Sequence, residues 1–202
     1  MKGTQKFTQS DIKIVEKKTC YSGFSKLEEL TLQHKLFSGE WSPPIKREVF
    51  GKRSVAALLP YDPIRDEVVL IQQFRVGALT ADNPWLLEIV AGICEPDESI
   101  EELIVRETFE EAGLKPLELL KIYEYWVSPG GSCEHLTLFC GRVDASNAGG
   151  IHGLKQENED IQVITVPANE AIKAISTGEI NNAASIIALQ WLALNKDAVF
   201  RN

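Results

Sequence analysis

Three glutamates, Glu107, Glu110 and Glu111, lie close together in the segment GICEPDESIEELIVRETFEEAGL, Gly92 to Leu114. On a helix, Glu107 and Glu111 stand one turn apart on one face, with Glu110 beside it. Bare carboxylates at that spacing repel by roughly a few tenths of a kcal/mol per pair. They also fall in the last turns, where the helix dipole favours cations instead. One reading is a solvated acidic face, helped by an i, i+4 pair between Glu102 and Arg106. The other is a site for a hard cation. Carboxylates a turn apart suit Mg²⁺ or Mn²⁺, which takes oxygen ligands and is completed by water and substrate phosphates. An EF-hand is excluded, because no DxDxDG loop precedes a glutamate at the required offset.

The elements that must position these carboxylates can be read around them. Ser99 and Glu102 form a Ser-x-x-Glu capping box, and Ile100, Leu103 and Ile104 form an apolar stripe, so a helix is expected over Ser99 to Ala112. Before it, SVAALLPY (Ser54 to Tyr61) and EVVLIQQF (Glu67 to Phe74) read as buried strands joined by the turn chemistry of DPIRD, Asp62 to Asp66. Further strands are expected at Leu117 to Val127, Leu136 to Val143 and Ile161 to Val166. Helices follow at Pro167 to Thr177, with proline at the first position, and at Asn182 to Asn195. The first fifty residues read as short strands around Ile12, Ile14 and Phe24 to Leu36, with SPP at Ser42 to Pro44 setting an N-terminal segment apart. SPGGS (Ser128 to Ser132) and NAGG (Asn147 to Gly150) are loops. This order predicts an α+β chain, a mixed α/β/α sandwich, with no regular βαβ repeat.

Composition bounds the functional classes. The chain has 202 residues, 44% hydrophobic and 25% charged, enough for a hydrophobic core without staples. Asp and Glu number 29 against 21 Lys and Arg, a net charge of -8, which argues against a general nucleic-acid binder. No stretch approaches the ~18 apolar residues of a membrane span. The first ten residues, MKGTQKFTQS, carry no apolar signal region. Cys20, Cys94, Cys133 and Cys140 show no CxxC spacing, and His34, His135 and His152 give no zinc pattern. Reduced thiols in a cytoplasmic protein are expected, with neither nucleic acid nor membrane as partner.

Spacing decides between the two readings of the acidic helix. Gly92 is followed after five residues by Glu98, and after seven more by Arg106-Glu107, then Glu110-Glu111 and Gly113-Leu114. This resembles the Nudix box, Gx5Ex7REUxEExGU, with U a bulky aliphatic residue. The one departure is Thr108, where the family has an aliphatic residue or alanine. Pro129 lies sixteen residues beyond Gly113, inside SPGGS, and resembles the marker of the ADP-ribose pyrophosphatase branch. YSGF near Tyr21, KREVF near Arg47, DPIRDEVVLIQQFR ending at Arg75, PWLLEIVAG, GIHGLKQENEDI and NNAASIIALQWL are similar to that branch as well. The resemblance runs from about Asp11 to Leu194.

The resemblance implies roles position by position. The carbonyl of Ala91, with Glu107 and Glu111, would hold Mg²⁺ or Mn²⁺, and Gly92 would allow the close approach of that backbone. Arg106 would orient the glutamates by ion pairing, Glu98 would fix the loop and helix or contact metal-bound water, and Glu110 would be a further residue around the metal. In GLKQENED, which alone reads as a solvated acidic turn, Glu157 would be the catalytic base and Glu159 another metal ligand. Phe24 and Ser25 resemble adenine-binding positions, and Arg47 and Glu48 a second pair, all supplied by the partner of a homodimer. Arg75 resembles a phosphate- or ribose-contacting residue. Ile93, Ser128, Pro129, Gly130 and Glu134 resemble substrate-lining positions. Residues 1–50 would then be a strand-rich dimerisation segment that forms part of the substrate site, and 51–202 the Nudix domain. The activity implied is metal-dependent hydrolysis of ADP-ribose to AMP and ribose 5-phosphate. Two alternatives stay open at this point, a broader nucleotide-sugar pyrophosphatase and a non-hydrolytic module that senses a nucleotide.

Overall fold

The computed structural model describes residues 4–51 and 54–200. Residues 1–3, where the stretch read for a signal begins, and 52–53, just past the boundary expected after residue 50, lie outside the described residues, as do 201–202. The chain forms two compact units, Met1–Arg53 with Trp126–Glu134, and Ser54–Tyr125 with His135–Asn202.

The first unit is built on an antiparallel sheet of three strands in sequence order: β1 (Ile12–Ser22), β2 (Lys26–His34) and β3 (Ile45–Phe50). The strand expected from Phe24 starts two residues later, because Gly23 N–H donates to the carbonyl of Ser25 at 3.0 Å and closes a turn. β1 is not short. It runs for eleven residues, with register shifts between Ile14 and Glu16 and between Thr19 and Tyr21. The SPP break does not set this segment apart. It lies between β2 and β3, where buried Ser42 accepts the His34 N–H through Oγ at 3.1 Å and donates its own N–H to the His34 carbonyl at 2.8 Å. The prolines mark a connection inside the sheet.

The second unit is an α/β/α sandwich, as expected. Its strands are β4 (Ser54–Asp62), β5 (Glu67–Phe74), β6 (Trp85–Glu88), β7 (Val90–Ile93), β8 (Glu118–Trp126), β9 (His135–Arg142), β10 (Gly150–His152) and β11 (Ile161–Pro167). The main path runs β10-β11-β5-β4-β9-β8, with β6 on β5 and β7 on β4. β4 and β9 are parallel, and the other registered pairs are antiparallel. The apolar run of β4 is continuous because both of its faces are covered. Ala56 and Leu58 pack with Leu103 and Ile104 of α1 (Ile100–Ala112). Ala57 and Leu59 pack with Ala168 and Ala171 of α2 (Ala168–Thr177) and with Leu189 and Leu192 of α3 (Ala183–Asn195). Pro167 is the residue before α2, since β11 extends through it. No described helix is long and apolar enough to cross a membrane.

Two devices hold the strand that will matter most, β7. The DPIRD turn closes on buried Asp62. Its Oδ1 accepts the N–H groups of Ile64 and Arg65 at 2.9 and 3.1 Å, and its Oδ2 accepts that of Ala145 at 3.0 Å. This fixes the C-terminal end of β4, the strand whose first half pairs with β7. The link between β6 and β7 is fixed from α3. Asn182 caps that helix through Oδ1 and donates Nδ2 to the Leu87 carbonyl at 2.8 Å. Ser185 Oγ, fully buried, accepts the Ile89 N–H at 3.0 Å. Ser185→Ala leaves that buried N–H without its acceptor. Urea unfolding should show a loss of about 1–3 kcal/mol.

Candidate active site

The site is assembled where α1 lies on β7. Ala91 and Gly92 sit in β7 opposite Ala57 and Ala56 of β4. Ser99 caps α1 as expected, its Oγ accepting the Glu102 N–H at 3.2 Å while Glu102 Oε2 accepts the Ser99 N–H at 3.0 Å. That use of Glu102 removes it as the expected partner of Arg106. The guanidinium turns to three other carboxylates. Its Nε and Nη2 meet Glu98 at 2.8 and 3.1 Å, and its Nη1 meets Glu107 at 3.0 Å and Glu110 at 2.8 Å. The acidic face is therefore an ordered network and not a solvated run. Thr108, the departure from the box, is fully buried, and its hydroxyl donates to the Ile104 carbonyl at 2.6 Å. The helix itself satisfies the polar atom that an aliphatic residue would have avoided.

The two central carboxylates are held in different ways. Glu107 lies directly on Gly92. A Cβ at residue 92 would stand 2.1 Å from both its Cδ and its Oε1, so no other amino acid fits there without moving the glutamate. Burial raises the Glu107 carboxyl to about 7, against the pull of Arg106 and with help from the charges of Glu110 and Glu159. Glu111 is 3% exposed. Its Oε2 accepts the Ala91 N–H at 3.1 Å. Burial raises it to about 8. The Ala91 N–H and Arg75 oppose that rise, while Glu107 and Glu159 add to it. Glu107 shares the charge of Arg106 with two other carboxylates, Glu111 is opposed by the charge of Arg75 without outweighing burial, and both offer hard oxygen atoms. That chemistry fits a divalent cation such as Mg²⁺ or Mn²⁺. Among the described residues, no three His, Cys, Asp or Glu side chains gather into a cage on their own. The donors are two carboxylates beside a backbone strand, a partial set of the kind Mg²⁺ completes with water and phosphate oxygens.

Other expected residues of this unit fall around that pair. Glu98 is gripped by Arg106, which lowers its carboxyl, and it also accepts the Glu95 N–H at 3.2 Å. Glu110 ties Arg106 by its side chain, and its carbonyl accepts the Gly153 N–H at 3.1 Å. Glu159 is the loop carboxylate whose charge bears on Glu107 and Glu111. Its Oε2 accepts the Leu154 N–H at 3.0 Å. Glu157 ends a single 3-10 turn, Lys155–Glu157, and is exposed. Arg75 follows β5, with its charge felt at Glu111 and its Nε donating to Glu88 of β6 at 2.7 Å. Glu88 was missed in the sequence, where it ends the apolar run WLLE without any spacing signal. Ile93 is half-buried on β7.

The remaining expected residues all belong to the first unit. Phe24 and Ser25 occupy the β1–β2 turn, and Phe24 is 80% exposed. Arg47 and Glu48 are exposed on β3. Ser128, Pro129 and Gly130 form a turn whose Ser128 carbonyl accepts the N–H groups of Gly131 and Ser132 at 3.2 and 2.8 Å. Glu134 follows, its N–H donating to Ser132 Oγ at 3.1 Å. This turn is strapped to the end of β3, since Phe50 N–H donates to the Gly131 carbonyl and Cys133 N–H to the Phe50 carbonyl. The four cysteines are free, and burial pushes the Cys140 thiol up to about 12.

Comparison with known proteins places the chain in a class. The family model of the NUDIX domain matches residues 51–190, and the chain belongs to that family. It is 46% identical over 194 residues to the ADP-ribose pyrophosphatase of Escherichia coli strain K12, covering 96% of this chain and 93% of the relative. It is 42% identical over 199 residues to that of Haemophilus influenzae, covering 96% and 92%. A GDP-mannose pyrophosphatase of Enterobacter sp. strain 638 is 37% identical over 153 residues, covering 74% and 78%. The fold matches the crystal structure of an ADP compounds hydrolase with a TM-score of 0.70 at 19% identity, covering 95% and 98% of the two chains.

Two outcomes follow from the buried pair. Gly92→Ala should displace Glu107 and lower metal-dependent activity by at least about tenfold, because the added carbon meets the carboxylate itself. Kinetics at saturating metal measure this. Second, carboxyls raised in the fold bind protons that the unfolded chain has already released. Their stabilising effect is full below the ordinary carboxylate range and is lost as the pH rises toward about 8. In EDTA the melting temperature should therefore fall by several degrees between about pH 5 and about pH 8. Mg²⁺ should restore it at the upper end, and Glu111→Gln should flatten the slope.

Proposed function

We propose that the protein is a divalent-metal-dependent hydrolase that cleaves the pyrophosphate of ADP-ribose to AMP and ribose 5-phosphate. The single observation that carries the chemistry is the buried pair Glu107 and Glu111 set against Gly92 and Ala91. The substrate is taken from the near-full-length similarity to the ADP-ribose pyrophosphatases. A broader nucleotide-sugar specificity is the second reading, supported by the 37% identity to a GDP-mannose pyrophosphatase. A purely sensing module would have no use for so many retained carboxylates.

Glu107, Glu111, Glu159 and the Ala91 carbonyl would hold Mg²⁺ or Mn²⁺, with Glu110 and Glu98 around them. When bound, such an ion lowers the pKa of water and offsets charge on phosphate oxygens. Arg106 keeps Glu98, Glu107 and Glu110 in one arrangement, so that the carboxylates need no reorganisation. Glu157, exposed on its turn, takes the proton of the attacking water as general base. Arg75, held by Glu88, meets a phosphate oxygen through its guanidinium. Ile93, Ser128, Pro129, Gly130 and Glu134 line the substrate. Phe24, Ser25, Arg47 and Glu48 are contributed to the partner's site, with the Phe24 ring stacking on adenine. On this reading residues 1–50 form a dimerisation segment on the hydrolase domain 51–202. Support comes from β1, which leaves Ile14, Val15 and Tyr21 more than half exposed. The setting is the cytoplasm, consistent with four free cysteines.

The purified protein should release AMP and ribose 5-phosphate from ADP-ribose with Mg²⁺, faster than from any member of a nucleotide-sugar panel, and EDTA should abolish the reaction. Faster turnover of another member would keep the chemistry and change the substrate. Tight binding of ADP-ribose with no turnover would overturn the hydrolase. Glu157→Gln should lose rate by about 10²–10⁴-fold with metal binding kept. Glu111→Gln should lose both, and an unchanged metal titration in that variant would contradict its role as a ligand.

A further inference from the structure

The loop that carries Glu157 and Glu159 leaves β10 at His152 and rejoins the sheet at Ile161. Residues 155–158 are exposed, so the loop has little burial of its own to hold it. Its first residues are instead fastened to the C-terminal end of α1. Gly153 donates its N–H to the Glu110 carbonyl at 3.1 Å. The imidazole of His152 rests on the α-carbon of Gly113, so close that a Cβ there would stand 2.5 Å from Cε1 and 3.2 Å from Nδ1. The ring is also held through Nε2, which donates to the Gly149 carbonyl at 2.9 Å.

Gly113 therefore has two reasons to be glycine. It caps α1 at a φ of 66°, a conformation that costs other residues energy. It also leaves the space that the His152 ring fills. Beyond this seat the loop is tied to itself. Glu159 Oε2 accepts the Leu154 N–H at 3.0 Å, and the Glu159 N–H donates to the Leu154 carbonyl at 3.2 Å. A displacement of His152 is thus passed to Leu154 and on to Glu159, whose charge acts on Glu107 and Glu111.

We propose that His152 is a positioning residue for the hydrolysis: its ring, seated on Gly113, clamps the Glu157–Glu159 loop to the end of the helix that carries the metal-facing glutamates. It touches neither the reacting atoms nor the cation. It sets the distance between two groups of carboxylates that lie on different elements. The inference rests on the assignment of Glu157 and Glu159 above, and it adds a requirement for the last glycine of the box that helix capping alone does not supply.

The test uses the full chain and two independent readouts. His152→Ala should lower kcat on ADP-ribose by about tenfold with KM within about twofold, since orientation and not affinity is lost. Limited trypsin digestion should cleave after Lys155, inside the loop, about tenfold faster, with the melting temperature nearly unchanged. His152→Phe returns a flat ring to the seat and should recover most of kcat and of the protection. Gly113→Ala pushes a methyl group into the ring, so its loss of kcat should largely vanish in the His152→Ala background. The clamp is overturned by an unchanged cleavage rate in His152→Ala, by unchanged kcat, by His152→Phe as impaired as the alanine variant, or by additive losses in the double variant. A fully active Glu157→Gln would instead sink the base assignment, while the cleavage rate after Lys155 would still report on the clamp.

Discussion

The constraint on which the site depends is the seating of α1 on β7, with a glutamate carboxylate where a glycine lacks its side chain. Burying two carboxylates a turn apart is unfavourable in itself, and helix α1 has no basic residue in its last turn to relieve it. The fold accepts that cost because the apolar side of the same helix is locked into the sheet through Leu103, Ile104 and Ala112. The helix cannot roll to bring Glu111 into water without lifting that side from the core. Local unfavourable electrostatics and strong tertiary packing belong to one arrangement. The first would attract a cation, and the second keeps that attraction from being relaxed away.

Much of this was legible in the sequence, and the reasons are physical. The box residues could be read because a helix converts linear spacing into a face, and the capping box fixed where the helix starts. The α/β/α layering was legible from continuous apolar runs such as SVAALLPY, which make sense only for a strand covered on both sides. Strands of four residues were not. β6 and β7 are too short to show a period, and their placement depends on Asn182 and Ser185, almost a hundred residues away. No local pattern encodes such a contact. The choice among possible partners of Arg106 was hidden for a related reason. Helical spacing offered Glu102, but the capping hydrogen bonds had already claimed that carboxylate.

The break at Ser42 to Pro44 shows the limit of punctuation. Two prolines look the same in sequence whether they separate units or turn a corner within a sheet. Here the deciding feature is Ser42, buried and doubly hydrogen-bonded to the end of β2. The residues expected to contact substrate sort in a way the sequence hid. Ser128 to Glu134 is far from Arg47 in the chain, yet backbone hydrogen bonds to Phe50 place both in the first unit. The carboxylates sit in the second unit. On the proposed reading most substrate contacts would come from the first unit, with Arg75 and Ile93 joining the carboxylates in the second.

Within the buried pair the two glutamates are not equivalent. Arg106 is shared among Glu98, Glu107 and Glu110, so Glu107 already has a permanent cation beside it. Among the described residues, Glu111 is favoured in its ionised form by a backbone N–H and the charge of Arg75, and it is the more buried of the two. Its ionised form is therefore the one that most needs charge from outside the chain. An ion that neutralises Glu111 must sit where Glu107 and Glu159 also raise the negative potential, since both act on the same group. The order of dependence then runs from the fold outward. Packing fixes Glu111, the guanidinium fixes Glu107 relative to it, and the loop brings Glu159 to both. On the proposed reading a metal would come last, into a field the protein already provides.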